Sequence, residues 1–533
     1  MILLHPSPVS SFALIPAMSV FAEAFTCIAL DAPGYGLSDD CVTEKEDLWG
    51  YADVVAQVLD ALRLESAVIY GAATGAQIGA QFARRYPQRT RLLMMDTAGH
   101  FSDEEVERYK DDYFVDLTPR RDGRHLLAAW DASRHLSVFF PWMSDRADER
   151  IQAAIAPPHV IQDHVNDMLR AGPGYRDAYF QAMRVEKHAH TVQIKVPVLL
   201  SLNSGSMMKG HTDALIGMGL PHNFTVVPCT PMTRYQDQLR AAAAYAENGA
   251  APVVPDQTGS AANIRNAMVD VPGGQLRARM CLHGAGRPLV AIHDPAGSSH
   301  LVESILAPYV GDRPVVAFDN PGNGESDFTI DKIDSESYAT VLNAALDTLG
   351  IDEADVIGRY SGGPVAMEMA FQNPLRVKHI VQAAVSIYEG EEQENLLAHY
   401  TPSIAPRWDG SHLMTAWSVM RDQSLYWPWF NQTAKGVLWS DGAIDVALTD
   451  LRVREMLKCG DRYQQAYAAM WRYPMRKKLP KLKTPCLLCH PSWEPVGYTT
   501  DRAHAVAPHM PKAELPSAMG DWRQVFDPFF AAS

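Results

Sequence analysis

Residues 358–363, with the sequence GRYSGG, are the stretch of this chain whose residue types and spacing best fit a catalytic turn. An apolar run at 354–357 precedes it, and a helix-like run at 364–370 follows it. A strand, a sharp turn flanked by glycines and a helix form a nucleophile elbow, in which the third residue of G-x-S-x-G carries the reactive group. Here the third residue is Tyr360. The motif therefore predicts where a site lies and leaves its reaction open.

The unit that contains this turn occurs twice in the chain. The segment GAATGA at 71–76 matches the turn at 358–363, and DAPGYGLSD at 31–39 matches DNPGNGESD at 319–327. The first residues of these pairs lie 287 and 288 positions apart. An offset this constant indicates a duplicated domain.

The two copies are joined by a stretch rich in Gly, Pro, Ala and Ser at 249–262, which is typical of a linker. We therefore predict one domain over 1–248 and a second over 263–533. A chain of 533 residues also exceeds the size of a single ordinary core.

The second half has two additional strand-like runs, 263–271 and 275–282. Either the first sheet is two strands short, or this hairpin covers a neighbouring edge.

Apolar β-rich runs alternate with helical runs in both halves. This order predicts an α/β fold in which each half has a mostly parallel sheet flanked by helices. A long stretch in each half breaks the alternation and is rich in Trp, Met and His. We predict that these stretches, at about 101–192 and about 388–480, are helical caps inserted over the sites.

Composition excludes several classes of function. The net charge is −15 and no Lys/Arg-rich run occurs, so we expect no nucleic-acid partner. The first 22 residues lack Asp, Glu, Lys and Arg, but Pro6, Pro8 and Pro16 interrupt them, so we expect no membrane segment. Seven scattered cysteines predict a reducing, cytoplasmic location. No phosphate loop or dinucleotide fingerprint is present, and we predict no cofactor and no metal.

Together these motifs resemble the α/β-hydrolase fold superfamily. The resemblance is carried by a His-Pro or His-Asp-Pro turn after a strand, at His5 and His293, and by the D-x-P-G-x-G-x-S-D loop. It is also carried by the elbow and by P-x-L-L before a late loop, at Pro197 and Pro485. It extends over nearly the whole chain, twice, and implies two tandem α/β-hydrolase-like domains.

The resemblance also implies positions for a Ser-His-acid triad, and both halves depart from it. In the first half these positions hold Ala73, Ser206 and Met232, side chains that cannot perform triad chemistry, so we expect a structural or ligand-binding role there. In the second half they hold Tyr360 and Glu494, and no His follows the last strand.

In the first half, Asp96 with His100 is an alternative acid position that some family members use. A strand-end cap and a surface His are the simpler interpretation of these two residues.

Tyr360 and Glu494 are the predicted catalytic residues. A phenol at the elbow tip can donate a hydrogen bond to a carbonyl or enolate oxygen, or act as a general acid or base. Glu494 could be a base or could orient Tyr360. The N–H of Ser361, with one from the loop at 293–297, could form an oxyanion hole, and Ser361 could also be a displaced nucleophile. The alternative is that Tyr360 only fills the former nucleophile pocket.

Further residues are predicted to bind substrate, namely His293, Asp294, His412, Arg421 and Trp417. A structural hydrogen-bonding role is the alternative for His293. His412 and Arg421 could hold a substrate carboxylate, or could belong to a network within the cap together with Asp409. Trp417 fits cap packing as well as the wall of an apolar pocket.

We predict an atypical enzyme that acts on a small carbonyl or acyl compound by oxyanion-hole stabilisation and acid/base catalysis. Lyase, decarboxylase, isomerase and cyclase chemistry all fit. One alternative is a catalytically inactive pseudo-hydrolase that binds a ligand or serves as a scaffold. The other is an unusual hydrolase that uses Ser361 or a water held by Glu494. Homologous domains of this fold often pair, so we also expect an intramolecular pseudo-dimer, which could assemble further into homo-oligomers.

Overall fold

The computed structural model describes residues 1–42, 47–151, 154–247, 249, 252, 263–438 and 444–531. By its internal contacts the chain divides into two compact units, Met1–Pro255 and Asp256–Ser533. The predicted linker at 249–262, apart from residues 249 and 252, lies outside the described residues.

The first unit contains six strands, which are β1 (Ile2–Leu4), β2 (Ile28–Leu30), β3 (Ala67–Ala72), β4 (Thr90–Asp96), β5 (Val198–Asn203) and β6 (Phe224–Cys229). Its described helices are α1 (Ile15–Phe21), α2 (Trp49–Ala61), α3 (Thr74–Arg85), α4 (Asp103–Asp112), α5 (Arg124–His135), α6 (Pro158–Ala171), α7 (Arg176–Val185), α8 (His188–Thr191), α9 (Lys209–Gly217) and α10 (Arg234–Ala242).

The second unit contains eight strands, which are β7 (Arg265–Val271), β8 (Gly274–Cys281), β9 (Leu289–Ile292), β10 (Val315–Phe318), β11 (Ala354–Arg359), β12 (Val377–Ala383), β13 (Cys486–Pro491) and β14 (Lys512–Leu515). Its described helices are α11 (Glu303–Leu306), α12 (Ser335–Thr348), α13 (Gly362–Gln372), α14 (Gly390–His399), α15 (Ser411–Asp422), α16 (Val446–Cys459), α17 (Arg462–Arg472), α18 (Met475–Lys478), α19 (Gly497–Val506) and α20 (Arg523–Ala531).

The predicted α/β fold is confirmed in both units. The first sheet has the order β2-β1-β3-β4-β5-β6, and all of its pairings are parallel. The second has the order β14-β13-β12-β11-β9-β10-β8-β7 and is mixed. Its antiparallel part is the hairpin of β7 and β8, and β8 pairs with β10. The two additional strands therefore extend the sheet of their own half.

The inner strands β9 and β10 of the second sheet are buried along their whole length, which explains their continuous apolar sequences. In β9, Val290 and Ile292 pack into the core that contains α12 and α13, whereas Leu289 and Ala291 pack against α11 and α20. The alternation follows the two-residue period of a strand. Helices therefore cover both faces of this sheet.

The carboxyl ends of β9, β11 and β13 lie at one edge of the parallel part of the sheet. Ligand sites of α/β proteins lie at this edge. The residues that follow these three strands include His293, Tyr360 and Glu494. Helices α4–α8 fall in the predicted cap at 101–192, and α14–α18 fall in the predicted cap at 388–480. None of the described helices is long and apolar enough to cross a membrane.

Candidate active site

The turn between β11 and α13 holds Tyr360 in a strained conformation. Its φ is +46°, a value that side chains other than glycine rarely adopt. Ala73 has the same φ of +46° in the first unit. A Cβ on Gly358 would lie 2.2 Å from the carbonyl oxygen of Gly362, and a Cβ on Gly362 would lie 2.4 Å from that of Ile292. The glycines therefore permit the close strand–helix approach that holds Tyr360 at the elbow tip.

Tyr360 and Glu494, the two predicted catalytic residues, lie in contact. The Tyr360 hydroxyl donates a hydrogen bond to Glu494 Oε2. Glu494 lies in the turn that follows β13, where its N–H donates to the carbonyl of Pro491 at 3.0 Å, and it is 8% exposed. The structure thus joins a side chain on the elbow to the carboxylate at the acid position, 134 residues later.

Both members of this pair have raised pKa values. Burial and the nearby Glu494 carboxylate raise the pKa of Tyr360 well above its ordinary value, so Tyr360 is a neutral phenol near neutral pH. Burial also raises the pKa of Glu494, although the Tyr360 hydrogen bond and the Arg359 charge oppose that shift. Glu494 is therefore a stronger base than an exposed carboxylate.

Two arginines beside this pair were not predicted from the sequence. The Arg359 guanidinium lies 5.2 Å from the centre of the Tyr360 ring and 3.7 Å from Asp294 Oδ1. Arg452, on α16, lies 3.6 Å from Asp294 Oδ2. Arg359 could have been suspected because it immediately precedes Tyr360. Nothing in the sequence points to Arg452, because only the packing of α16 brings it to the elbow.

His293 has a well-defined structural role in this arrangement. Its Nδ1 is 2.7 Å from the carbonyl oxygen of Asp294, so Nδ1 carries the proton and donates there. Its Nε2 accepts the N–H of Asn320 at 2.9 Å. His5 makes the matching contacts in the first unit, to the carbonyl of Pro6 and from the N–H of Ala32. Both ring nitrogens are thus used to join two loops.

Ser361 lines a small cavity with His293, Pro295 and Asn320. The cavity has a volume of about 10 Å³, which is room for one water molecule. Because His293 Nε2 already accepts a backbone N–H, it is not available to take a proton from the Ser361 hydroxyl. The Ser361 N–H has no acceptor among the described residues. Pro295 has no N–H, so it cannot supply the second donor of an oxyanion hole.

Three residues of the predicted cap, His412, Arg421 and Trp417, were predicted to bind substrate. His412 Nδ1 accepts the N–H of Arg407 at 3.1 Å, and burial lowers the pKa of His412 to about 4. Arg421 pairs with Asp422 at 2.7 Å. Trp417 is completely buried within the cap. These contacts agree with a cap-internal role, and binding of substrate by these residues stays a prediction.

A cluster of aromatic side chains from the cap lies near the elbow. The Tyr400 ring is 5.3 Å from the Tyr467 ring and 5.1 Å from the Trp471 ring. Trp427 lies 5.8 Å from Tyr400 and 6.4 Å from Tyr388. Burial raises the pKa values of Tyr388 and Tyr400 well above their ordinary range, and neighbouring tyrosines, Tyr360 among them, add to both shifts.

The corresponding region of the first unit contains no acid–base pair of this kind among its triad positions. Ser206 accepts the N–H of Met208 at 3.1 Å, and Met232 is 96% exposed. Asp96 pairs with Arg234 at 2.9 Å and accepts the Tyr70 hydroxyl at 2.8 Å, which is a structural use of that carboxylate.

Potential metal ligands do not cluster in the part of the chain that the structure describes. No group of three or more His, Cys, Asp or Glu side chains there could hold a metal ion.

The chain belongs to the alpha/beta hydrolase fold family. The family's profile matches residues 3–170 and 281–417, which together make up more than half of the chain. The two matches lie in the two halves, so the duplication and the family are supported by the same finding.

Curated relatives of this chain include hydrolases. It is 26% identical over 217 residues to the pimeloyl-acyl-carrier-protein methyl ester esterase of Neisseria meningitidis. This match covers 40% of this chain and 77% of the esterase. It is 26% identical over 135 residues to the proline iminopeptidase of Heyndrickxia coagulans, which covers 24% of this chain and 47% of the iminopeptidase. The chain thus matches less than half the length of this second relative.

Solved structures with a similar fold include a bromoperoxidase from Bacillus anthracis and a hydrolase from Pseudomonas aeruginosa. The bromoperoxidase is 17% identical with a TM-score of 0.37, over 50% of this chain and 96% of its own. The hydrolase is 20% identical with a TM-score of 0.38, over 50% of this chain and 98% of its own.

Proposed function

We propose that the second half of this chain is an enzyme without a Ser-His-acid triad that moves a proton on a small carbonyl or acyl compound. Lyase, decarboxylase, isomerase and cyclase reactions belong to this class. The observation that carries the proposal is the hydrogen bond from Tyr360 to Glu494 at the tip of a strained elbow. The hydrolase relatives support the choice of a carbonyl or acyl substrate, because one is an esterase and another is a peptidase.

The proton would move through Tyr360 to Glu494. A proton on the substrate passes to the Tyr360 oxygen while the phenol's own proton passes to Glu494 Oε2. Tyr360 is unchanged by this transfer, and Glu494 becomes a carboxylic acid. The reverse transfer returns a proton to the product. The raised pKa of Glu494 favours the first step, because a carboxylate with a higher pKa holds a proton more firmly.

Negative charge that develops on the substrate oxygen must be stabilised by a hydrogen-bond donor. The Ser361 N–H has no acceptor among the described residues and follows Tyr360 directly, so it is suited to this role. The Arg359 guanidinium, beside the Tyr360 ring, adds positive charge to the same region. Together they would take the role of the two backbone N–H donors of an oxyanion hole. Pro295 cannot supply the second of these donors because it has no N–H.

The proposal is tested with Tyr360→Phe, which removes the hydroxyl and keeps the ring. Exchange of substrate protons for deuterium, followed by NMR over a panel of keto acids and acyl compounds, detects proton transfer whichever reaction follows. We expect the exchange rate to fall by about 10²- to 10⁴-fold in the variant.

Tyr309→Phe is the matched control, because Tyr309 is a buried tyrosine in the core formed with α11 and α20. We expect this variant to keep the wild-type rate. Full exchange activity in a folded Tyr360→Phe protein would rule out the proposal.

A catalytically inactive, ligand-binding protein is the second candidate. The observation in its favour is that the cavity beside Ser361 holds about one water, and that Tyr360 and Glu494 are not among the residues that line it. This candidate predicts ligand binding with no exchange in the wild-type protein for any compound of the panel.

A further inference from the structure

Two guanidinium groups converge on one buried carboxylate next to Tyr360. Arg359 Nη1 is 3.7 Å from Asp294 Oδ1, and Arg452 Nη2 is 3.6 Å from Asp294 Oδ2. Both distances exceed the roughly 2.7–3.2 Å of a hydrogen bond. Asp294 Oδ1 also has no hydrogen-bond partner in the described part of the chain. The ion pairs are therefore loose.

Arg452 keeps its hydrogen-bonding capacity in this arrangement. Its one ion pair is the long contact to Asp294, and it donates no hydrogen bond to another described side chain or carbonyl. An arginine presents five N–H donors in a planar fork that matches a carboxylate. The Arg452 side chain is 25% exposed, so an incoming group can reach it.

Two carboxylates share this region with the two arginines. Burial raises the pKa of Asp294, but the Arg359 and Arg452 charges outweigh burial and hold that pKa below its usual value, so Asp294 carries a negative charge. Glu494 is the second carboxylate, and its hydrogen bond comes from the Tyr360 hydroxyl rather than from an arginine. An incoming carboxylate would form the close ion pairs that Asp294 makes only at 3.6–3.7 Å.

We propose that Arg452 and Arg359 together bind a carboxylate of the substrate, which places the substrate's carbonyl carbon over Tyr360. The substrate is thus a small carbonyl acid. This inference rests on the proposed function for the reacting carbonyl, whereas the carboxylate binding itself requires no turnover.

The aromatic cluster near the elbow suits the rest of such a molecule. Tyr400, Tyr467 and Trp471 have ring centres 5.1–5.3 Å apart and belong to the same cap as Arg452. Aromatic side chains favour contact with a flat, apolar body. A keto acid that carries a ring is therefore the substrate class to which the two groups correspond, with its charged end on the arginines and its ring toward the aromatic side chains.

Binding of phenylglyoxylate and phenylglyoxylamide to the full chain, measured by calorimetry, tests this inference. The two compounds have the same shape and the same keto group, and they differ in whether the terminal group is a carboxylate or a neutral amide. We expect the acid to bind at least about tenfold more tightly, because a charge-assisted arginine–carboxylate pair is stronger than a neutral hydrogen bond.

Arg452→Gln removes the charge and leaves a shorter side chain that is polar and neutral. We expect it to weaken phenylglyoxylate binding by about 10- to 100-fold and amide binding by less than about twofold. Arg454→Gln is the matched control. Arg454 lies on the same helix with the same 25% exposure, but it pairs with Asp450 at 2.8 Å. It should leave both affinities unchanged.

Asp294→Asn should change the affinity for phenylglyoxylate in the opposite direction to Arg452→Gln. Removing the competing carboxylate frees both guanidinium groups, so a folded Asp294→Asn protein should bind phenylglyoxylate more tightly than the wild type. Equal affinities for acid and amide, equal losses in Arg452→Gln and Arg454→Gln, or no binding of the acid would each overturn the inference.

The same measurement in Tyr360→Phe separates this inference from the proposed function. We expect that variant to keep the preference for the acid, since the phenol is not part of the arginine group. If proton exchange is unaffected in Tyr360→Phe while the arginine dependence persists, the proposed reaction is wrong and the carboxylate site stands.

Discussion

At the scale of single residues, the pair of Tyr360 and Glu494 defines what the site can do. A neutral phenol with a raised pKa is a poor base by itself, and a buried carboxylate with a raised pKa is a good one. The hydrogen bond between them lets the carboxylate act through the phenol. Arg359 and Asp294 supply the charges that surround this pair.

The ionisation of Glu494 predicts a pH dependence. Only the carboxylate form accepts a proton, so exchange should rise with pH and be lost as pH falls through the raised pKa of Glu494. The midpoint should lie above the ordinary carboxyl value of 4.5, because burial raises this pKa. The measurement is the deuterium-exchange rate from about pH 4 to 8.

Two variants identify the group whose protonation causes the loss of exchange at low pH. Glu494→Gln should abolish exchange from about pH 4 to 8. Glu389→Gln, which changes an exposed carboxylate of the predicted cap that pairs with Arg476 at 2.5 Å, should keep the wild-type pH dependence. If Glu494→Gln still loses exchange at low pH with the same midpoint, another residue is the titrating group.

At the scale of elements, the elbow depends on how closely β11 approaches α13. The same geometry occurs between β3 and α3, where a Cβ on Gly71 would lie 2.2 Å from the carbonyl oxygen of Gly75. Both elbows therefore keep their backbone although neither has a serine at its tip. The elbow strain is stored by strand and helix packing, and it persists independently of the side chain at the tip.

Gly358→Ala tests this packing. The added methyl group would meet the Gly362 carbonyl oxygen at 2.2 Å, a backbone atom that cannot move without displacing α13. We expect the free energy of unfolding to fall by roughly 2–4 kcal/mol, measured by denaturant unfolding of the full chain.

Gly520→Ala is the control in the same unit, since a Cβ there meets no atom within 4 Å. Its stability should stay within about 0.5 kcal/mol of the wild type. Similar losses in both variants would show that the close approach at the elbow is not the cause.

At the scale of the whole molecule, duplication provides two units of one family in a single chain. The six-stranded unit has lost the residues of the triad positions, whereas the eight-stranded unit has Tyr360 and Glu494 there. One copy can lose its chemistry and remain folded because its core is independent of the site residues.

Pairing of the two halves stays a prediction. When residues 1–248 and 263–533 are produced as separate chains, we expect them to co-purify, because domains that pair within one chain retain complementary surfaces. The measurement is capture of one fragment by an affinity tag on the other. Two fragments that are each folded and do not associate would contradict the pairing.

The sequence by itself determined the fold, the duplication and the positions of the two elbows. Strand and helix periodicity, the repeated loop motif and the elbow glycines depend on local geometry, and local geometry is encoded in neighbouring residues. For the same reason Tyr360 was recognisable as the tip residue of its elbow. Glu494 could be found because it lies at a fixed place after a strand.

Only the tertiary structure decided which groups surround that pair. His293 was predicted to bind substrate, with structural hydrogen bonding as the alternative, and the contacts of its two ring nitrogens with Asp294 and Asn320 agree with that alternative. Arg452 was not predicted, because it reaches the elbow from a helix about ninety residues further along the chain, and no sequence period encodes such a contact. The arrangement of charges around the pair, on which the proposed carboxylate site depends, follows from the packing of α16 against the elbow.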